Sequence, residues 1–187
     1  MNVNLDDLNS TDPKVKYKAV KDILAIVKES PIELYPQIDK FIELLDSENN
    51  ILRWTAIDVI GYLSSFDKDK KIDKLLDKLF GFLNAGKLIT ANHAIAALTN
   101  IASEKEEHRE KITNELLKVQ NYSYNTEECK NIALGKLIES LSTYFNKIDD
   151  KKAVIKFVMS QTNNSRNATA KKAEAFLKKH ATYLTEN

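Results

Sequence analysis

Apolar residues recur along nearly the whole chain at the spacing of an amphipathic helix. Ile23, Ile26 and Val27 fall on one helical face, and Ile38 and Ile42 repeat the arrangement further along. The strict alternation of apolar and polar residues that indicates a half-buried strand is missing from the sequence. The pattern predicts nine short helices, near residues 13–28, 32–45, 50–65, 69–83, 88–102, 104–119, 126–145, 148–160 and 166–181.

Several of these helices are preceded by residues that satisfy the free amide groups of a first helical turn. Asp12 followed by Pro13 has the chemistry of an N-cap and a first helical position. Three further starts have the spacing of a capping box, the last of them in a looser form: Ser30 with Glu33, Ser103 with Glu106, and Asn125 with Glu128.

The odd-numbered helices share an alanine that is followed four residues later by an aliphatic residue. Successive alanines are 37, 38, 39 and 40 residues apart. A small residue lets two helices approach closely, and the aliphatic residues fill the grooves beside it. A helical bundle with chance spacing is the alternative, but four near-equal intervals favour a repeat. The pairs are Ala19/Ile23, Ala56/Ile60, Ala94/Leu98, Ala133/Leu137 and Ala173/Leu177.

Two segments one period apart carry a more detailed pattern, namely Asp12, Pro13, Val15, Lys16 and Ala19, and then Leu52, Arg53 and Ala56. This pattern resembles the first helix of HEAT repeats, which are helical hairpins of about 40 residues that stack into a solenoid. The resemblance covers roughly residues 12–181. It leaves the HEAT and armadillo-like variants of the repeat both open.

The resemblance implies an all-α fold, a right-handed α-α superhelix (solenoid) of about four and a half HEAT-like helical hairpins. We expect residues 1–187 to form a single repeat domain. Its repeats are predicted near residues 12–47, 48–86, 87–121 and 125–161, with a terminal capping helix near 165–182.

Composition agrees with a helical fold and restricts the chemistry. The 187 residues are 43% apolar and 29% charged, and only 4 glycines and 3 prolines are available for turns. The single cysteine, Cys129, excludes an intramolecular disulfide and a cysteine zinc cluster. There is no signal-peptide pattern and no apolar run near the length of about 18 residues that spans a bilayer. We therefore expect a cytoplasmic protein.

Motifs for catalysis or cofactor binding are not found in the sequence. Gly86 and Gly135 each precede a lysine, but in both cases a leucine follows where a phosphate-binding loop has Ser or Thr. His93, His108 and His180 fall in different repeats, without a second ligand at zinc-site spacing. We expect a protein that is not an enzyme and needs no metal or cofactor.

Charge is distributed unevenly. The net charge is +1, but residues 151–187 carry 8 basic and 2 acidic side chains, a balance of +6. Steps of 37, 37 and 40 residues from Gln37 lead to Lys74, Lys111 and Lys151 on successive second helices, with Lys78, Lys118, Lys152 and Lys156 nearby. An aligned row of lysines would attract carboxylates or phosphates, whereas separate lysines only solvate a surface. Both interpretations stay open, because acidic residues interrupt the row.

Two other features have two interpretations each. Tyr122 and Tyr124 lie in a longer loop, where they are either contact anchors for a partner or rings that fold back over the neighbouring hairpin. The basic C-terminal helix is either the polar cap of the last repeat or a binding patch for a membrane surface or nucleic acid.

These observations predict a non-enzymatic interaction module that binds a protein partner, through an acidic segment, on the concave face of the solenoid. The alternative is a nucleic-acid-binding HEAT-like protein that uses the lysine row and the basic C-terminal helix. The sequence has no signal for the oligomeric state.

Overall fold

The computed structural model describes residues 4–184. Within this range all regular structure is helical, which confirms the all-α prediction, and no helix is long and apolar enough to cross a membrane. Short 3-10 turns extend or precede several of the helices. The described range contains nine α-helices: α1 (Pro13–Glu29), α2 (Ile38–Leu44), α3 (Asn50–Leu63), α4 (Leu76–Leu83), α5 (Leu88–Glu104), α6 (Glu106–Leu117), α7 (Glu127–Tyr144), α8 (Lys151–Ser160) and α9 (Asn167–Lys179).

The chain divides into two compact units, Met1–Leu76 and Asp77–Asn187. In the first unit α3 packs against α1 and α2, and a 3-10 turn at Leu5–Asn9 packs against α1 through the fully buried Leu8. In the second unit α5 packs against α6 and α7, and α9 packs against α7 and α8. Within each unit the first helices of successive repeats thus pack on one another, α1 with α3 and α7 with both α5 and α9.

The helix starts confirm one of the predicted caps and correct the other three. The Asp12 carboxylate accepts a hydrogen bond from the amide of Lys14 at 2.8 Å, as expected. The last start lies one residue later than expected, because the hydroxyl of Thr126, rather than the side chain of Asn125, accepts from the amide of Cys129 at 3.1 Å.

The two serine capping boxes are wrong for different reasons. Ser30 ends α1, and the prolines that follow it give two 3-10 turns, so that α2 begins only at Ile38. Ser103 lies inside α5, where its hydroxyl donates to the carbonyl of Thr99 at 2.9 Å. Because this hydroxyl bonds back into α5, it does not cap α6, which begins after Lys105 without a side-chain cap.

The repeat register is confirmed by burial, with one correction. The five aligned alanines are at most 3% exposed, and the aliphatic partners in the first four repeats are fully buried. In α9, Phe176 is buried at 3% exposure, whereas Leu177 is only half-buried. Phe176 occupies the interior because its ring packs edge-on against Phe145 at 5.0 Å between centroids, which turns the buried face by one residue.

The crossing of α7 and α9 is the tightest helix contact of the second unit that involves a glycine. A β-carbon on Gly135 would lie 2.8 Å from the hydroxyl oxygen of Thr169. That hydroxyl is fixed, because it donates to the backbone carbonyl of Asn131 at 2.7 Å. The side chain of Asn131 in turn donates to the hydroxyl of Ser165 at 2.9 Å. Close approach of the two helices therefore depends on glycine at this position.

In the first unit, the loop after α3 is organised by Asp67. Its carboxylate accepts from the amides of Lys71 and Ile72 at 2.9 and 3.0 Å, and from the hydroxyl of Tyr35 at 3.3 Å. Lys70 has a φ of 54°, in the left-handed region that turns the chain. This loop leads into the 3-10 turn Asp73–Leu75, which precedes α4.

Candidate functional site

The seven lysines predicted as partner contacts fall at different places in their helices. Lys74 belongs to the first unit and lies in the 3-10 turn before α4, where it is exposed. The other six, called here the second-unit lysines, are Lys78 in α4, Lys111 in α6, Lys118 at the end of α6, and Lys151, Lys152 and Lys156 in α8.

Lys111 projects from the middle of α6 toward α4. Its ammonium is 3.0 Å from the carboxylate of Asp77 and 5.3 Å from the ring centroid of Phe80. Both charged side chains of the pair are largely exposed, so the pair contributes little to folding. The ammonium has three donors and uses one on Asp77, which leaves it able to bind a further anion.

Lys118 is held locally at the end of α6. Its ammonium is 2.6 Å from the carboxylate of Glu115, three residues earlier. The hydrogen bond that Lys118 donates to Glu115 raises the pKa of Lys118 above its usual value. The charge of Glu115 therefore offsets that of Lys118. The sequence had indicated such an effect, because acidic residues interrupt the predicted row of lysines.

The three lysines of α8 have different surroundings. Lys151 is half-buried: its ammonium donates to the carbonyl of Ile148 and lies 5.9 and 5.4 Å from the ring centroids of Phe145 and Tyr183. Lys152 and Lys156 are exposed, lie one turn apart on the same face of α8, and make no ion pair or hydrogen bond to any residue in the described range 4–184. Their ammonium groups are available to a partner.

Contacts from α6 fix the start of α8. The carboxylate of Glu110 accepts from the amide of Asp149 at 2.8 Å, and Asp150 caps α8 by accepting from the amide of Ala153 at 3.2 Å. The guanidinium of Arg109 donates to the carbonyl of Lys147, shortly before α8, at 3.4 Å. The lysines of α8 are therefore presented from a backbone that is anchored to the preceding repeat.

The loop tyrosines are not equally placed. The hydroxyl of Tyr124 donates to the carbonyl of Leu83 at 3.3 Å, and burial raises the pKa of Tyr124 to about 12. Leu83 is the last residue of α4, so its carbonyl has no partner within that helix. Tyr124 thus folds back on its own unit and completes a helix end, whereas Tyr122 is half-buried beside it.

Three basic side chains in or just before the C-terminal helix α9 contact polar side chains of α7. Lys172 is 2.9 Å from the carboxylate of Glu139, and Arg166, just before the helix, is 2.8 Å from that of Glu128. The ammonium of Lys179 lies 3.2 Å from the hydroxyl of Ser142. These contacts are those of a capping helix. The contacts of Lys172 and Lys179 also border a groove between α7 and α9. The sequence did not indicate this groove, since its residues come from two helices that are distant along the chain.

Two solved structures resemble the chain over most of its length. A designed armadillo repeat protein superposes with a TM-score of 0.60 at 19% identity, covering 92% of this chain and 78% of that one. An engineered protein solved by crystallography gives a TM-score of 0.56 at 18% identity, covering 91% and 74%. No protein-family model and no curated protein matches the sequence. The fold is thus an armadillo/HEAT-like helical repeat.

Proposed function

We propose that this chain is a non-enzymatic repeat scaffold that binds an acidic segment of a protein partner through the second helices of its repeats. The observation that carries the proposal is the pair Lys152 and Lys156, two exposed ammonium groups one turn apart on α8 with no partner in the described residues. In HEAT-like proteins the second helices line the concave face, where partners bind. We also propose a cytoplasmic location, on the basis of composition alone.

Electrostatics favours a carboxylate-bearing partner. Lys111 retains unused donors beside Asp77, and Lys152 and Lys156 have all of theirs. Charges of one sign on neighbouring helices add their fields and speed the encounter with an oppositely charged segment. Tyr122 remains part of the proposed contact surface, as a half-buried ring next to α6 and α7.

Nucleic acid is the second candidate, because residues 151–187 have a balance of +6. A phosphate backbone would release counterions from each lysine contact, so that affinity falls steeply with salt. Several of the basic residues in this segment are already engaged, Lys172 with Glu139, Lys151 with Ile148 and Arg166 with Glu128. The ion pairs with Glu128 and Glu139 of α7 make the positive field along this segment weaker than its own balance of +6, so a long phosphate backbone is the second choice.

The experiment compares three baits in a capture assay with native lysate, analysed by mass spectrometry with and without nuclease. The first bait is the unmodified chain, and the second lacks three second-unit lysines. The third is a matched control that also loses three lysines. One of them, Lys18, makes an exposed ion pair with Asp22, as Lys111 does with Asp77 in the second bait. The substitutions are Lys111→Ser, Lys152→Ser and Lys156→Ser in the second bait, and Lys16→Ser, Lys18→Ser and Lys21→Ser in the control.

We expect one or more proteins to be retained by the unmodified and control baits and lost from the second bait, irrespective of nuclease. Retention of the same proteins by all three baits would contradict the proposal. Loss of every captured protein on nuclease treatment would instead assign the surface to nucleic acid.

A further inference from the structure

A groove of about 380 Å³ lies between α7 and α9, the first helices of the last two repeats. The exposed methyl group of Ala175 and the aliphatic stems of the bordering lysines form its apolar floor, and Ile138 and Phe176 pack beneath at 1% and 3% exposed. The polar side chains that complete the lining are Glu139, Ser142 and Thr143. Lys172 and Lys179 border it. We call this feature the α7–α9 groove. It shares no residue with the second-unit lysines.

Both bordering lysines keep hydrogen-bond donors for an incoming anion. Lys172 uses one donor on the carboxylate of Glu139 at 2.9 Å. Lys179 uses two on the hydroxyl and carbonyl oxygens of Ser142, at 3.2 and 3.5 Å. An ammonium group has three donors, so two remain on Lys172 and one on Lys179. These internal contacts also hold the two side chains beside the groove rather than in open solvent.

The spacing of the two lysines defines the length of a ligand. They are seven residues apart in α9, which places them two turns and about 10.5 Å apart on one helix face, with the apolar floor between them. In an extended peptide, residues i, i+2 and i+4 point to the same side, and i and i+4 are about 13 Å apart. Long lysine and carboxylate side chains absorb the difference between these two lengths.

We propose that the α7–α9 groove binds an extended segment of a partner protein in which two carboxylates, at positions i and i+4, flank a large apolar side chain at i+2. The carboxylates pair with Lys172 and Lys179, and the apolar side chain lies on the methyl group of Ala175 and the lysine stems beside it. A volume of about 380 Å³ is near the lower end of small-molecule pockets and suits one large side chain. The balance of +6 in residues 151–187 complements the acidic segment.

The apolar floor is the reason to prefer a peptide over a phosphate backbone. A nucleic acid backbone offers charge at both lysines but no apolar group to cover the side chains between them. An acidic peptide without an apolar residue has the same deficiency. A large apolar side chain on this floor removes apolar surface from water, so the floor accounts for a measurable part of the affinity.

The test uses a synthetic peptide in which Asp-Ser-Phe-Ser-Glu is flanked by Gly and Ser, and a second peptide of equal charge with Ser in place of Phe. Binding to the full chain is measured by fluorescence anisotropy. Ala175→Phe fills the groove from an exposed position, and Ala168→Phe is the matched control, since Ala168 is another exposed alanine of α9 that does not line the groove. Thermal melting establishes that both variants fold.

We expect the Phe peptide to bind at least about tenfold more tightly than the Ser peptide, and Ala175→Phe to remove that advantage while Ala168→Phe preserves it. The variant that lacks Lys111, Lys152 and Lys156 should bind the Phe peptide as the unmodified chain does, so failure here is distinguishable from failure of the proposed function.

Equal binding of the two peptides, or an Ala175→Phe variant that binds like the unmodified chain, would overturn the proposal and leave only a basic surface. Two further probes test the other ligand classes. Tighter binding of single-stranded DNA or of phosphatidylserine vesicles than of the Phe peptide, again lost in Ala175→Phe, would also overturn it and assign the groove to that ligand.

Discussion

Thr113 and Tyr144 show how single polar residues are accommodated in the second unit. They are 2% and 1% exposed, and their hydroxyl oxygens are 3.1 Å apart. Thr113 donates its only hydroxyl proton to the carbonyl of Arg109 at 2.8 Å, so Tyr144 is the donor between the two hydroxyls. Burial raises the pKa of Tyr144 to about 12, which keeps the phenol protonated at neutral pH.

Replacement of Thr113 by Val should leave the hydroxyl of Tyr144 buried without an acceptor. We expect the free energy of unfolding to fall by about 1–3 kcal/mol, measured by urea denaturation. Tyr144→Phe is the control, because it removes the unsatisfied group itself and leaves Thr113 bonded to Arg109. An equal or smaller loss in Thr113→Val than in Tyr144→Phe would show that this hydrogen bond is not as described.

His180 is the other polar residue of interest at this scale. It is 6% exposed, and its ring centroid lies 4.4 and 4.6 Å from those of Phe145 and Phe176. Its Nε2 atom is 3.4 Å from the hydroxyl of Ser142. Burial, and to a smaller extent the charge of Lys179, lower the pKa of His180. The lowered pKa keeps the ring of His180 neutral in the folded chain at neutral pH.

Acidification should destabilise the chain through His180. Its pKa is lowered in the folded state, so below the ordinary histidine pKa of about 6.5 the unfolded chain binds a proton that the folded chain does not. Stability from this group is complete above that pH and is lost as the pH falls toward the folded pKa. We expect the melting temperature to decrease less between about pH 7 and pH 5 in His180→Phe than in the unmodified chain. Parallel curves for the two proteins would exclude this role.

At the scale of helices, the spacing of apolar residues predicted the nine helices of the described range 4–184 and the aligned alanines. Both follow from the burial of one face of each helix. Helix ends were harder to place. Capping-box spacing is a local signal, and the hydroxyl of Ser103 bonds to the carbonyl of Thr99 within α5 instead of capping α6. In α9 the register shifted from Leu177 to Phe176, since the aromatic contact with Phe145 is set by packing that the sequence does not display.

The α7–α9 crossing should respond to a single methyl group. Gly135→Ala places a β-carbon 2.8 Å from the hydroxyl of Thr169, which is fully buried and bonded to Asn131. We expect this strain to outweigh the gain of about 1 kcal/mol that alanine brings to a helix, so that the melting temperature falls. Gly81→Ala in α4 is the control: its β-carbon meets nothing within 4 Å, and its melting temperature should rise. A rise in both variants would contradict the close approach.

Enlargement of the aligned alanines tests the register itself. Ala56 and Ala94 are fully buried in α3 and α5, one in each unit. Substitution of either by Leu should lower the free energy of unfolding by about 1–3 kcal/mol through overpacking, measured by chemical denaturation. Leu at the exposed Ala168 should have little effect. Unchanged stability of the two buried variants would mean that these alanines do not lie at helix crossings.

At the scale of the whole chain, the repeat class was predictable, whereas the internal partners of the site residues were not. Steps of one repeat led to Lys74, Lys111 and Lys151, but Lys74 lies in a turn before α4 and not within a second helix. The engagement of Lys111 by Asp77, 34 residues away, and of Tyr124 by Leu83 follows only from the fold. The α7–α9 groove does not follow from the sequence, because its lining comes from two helices that are distant along the chain. The arrangement of residues 1–187 as a single repeat domain stays a prediction.

The most direct test of the proposed function is the association rate of a fluorescent polyglutamate peptide, measured by stopped flow at low and high salt. Loss of Lys111, Lys152 and Lys156 should lower the association rate about tenfold or more at low salt, with a smaller change in dissociation and little difference at high salt. The control, which lacks three lysines of α1, should associate as the unmodified chain does. Equal loss in both variants, or no loss in either, would contradict a binding role for these lysines.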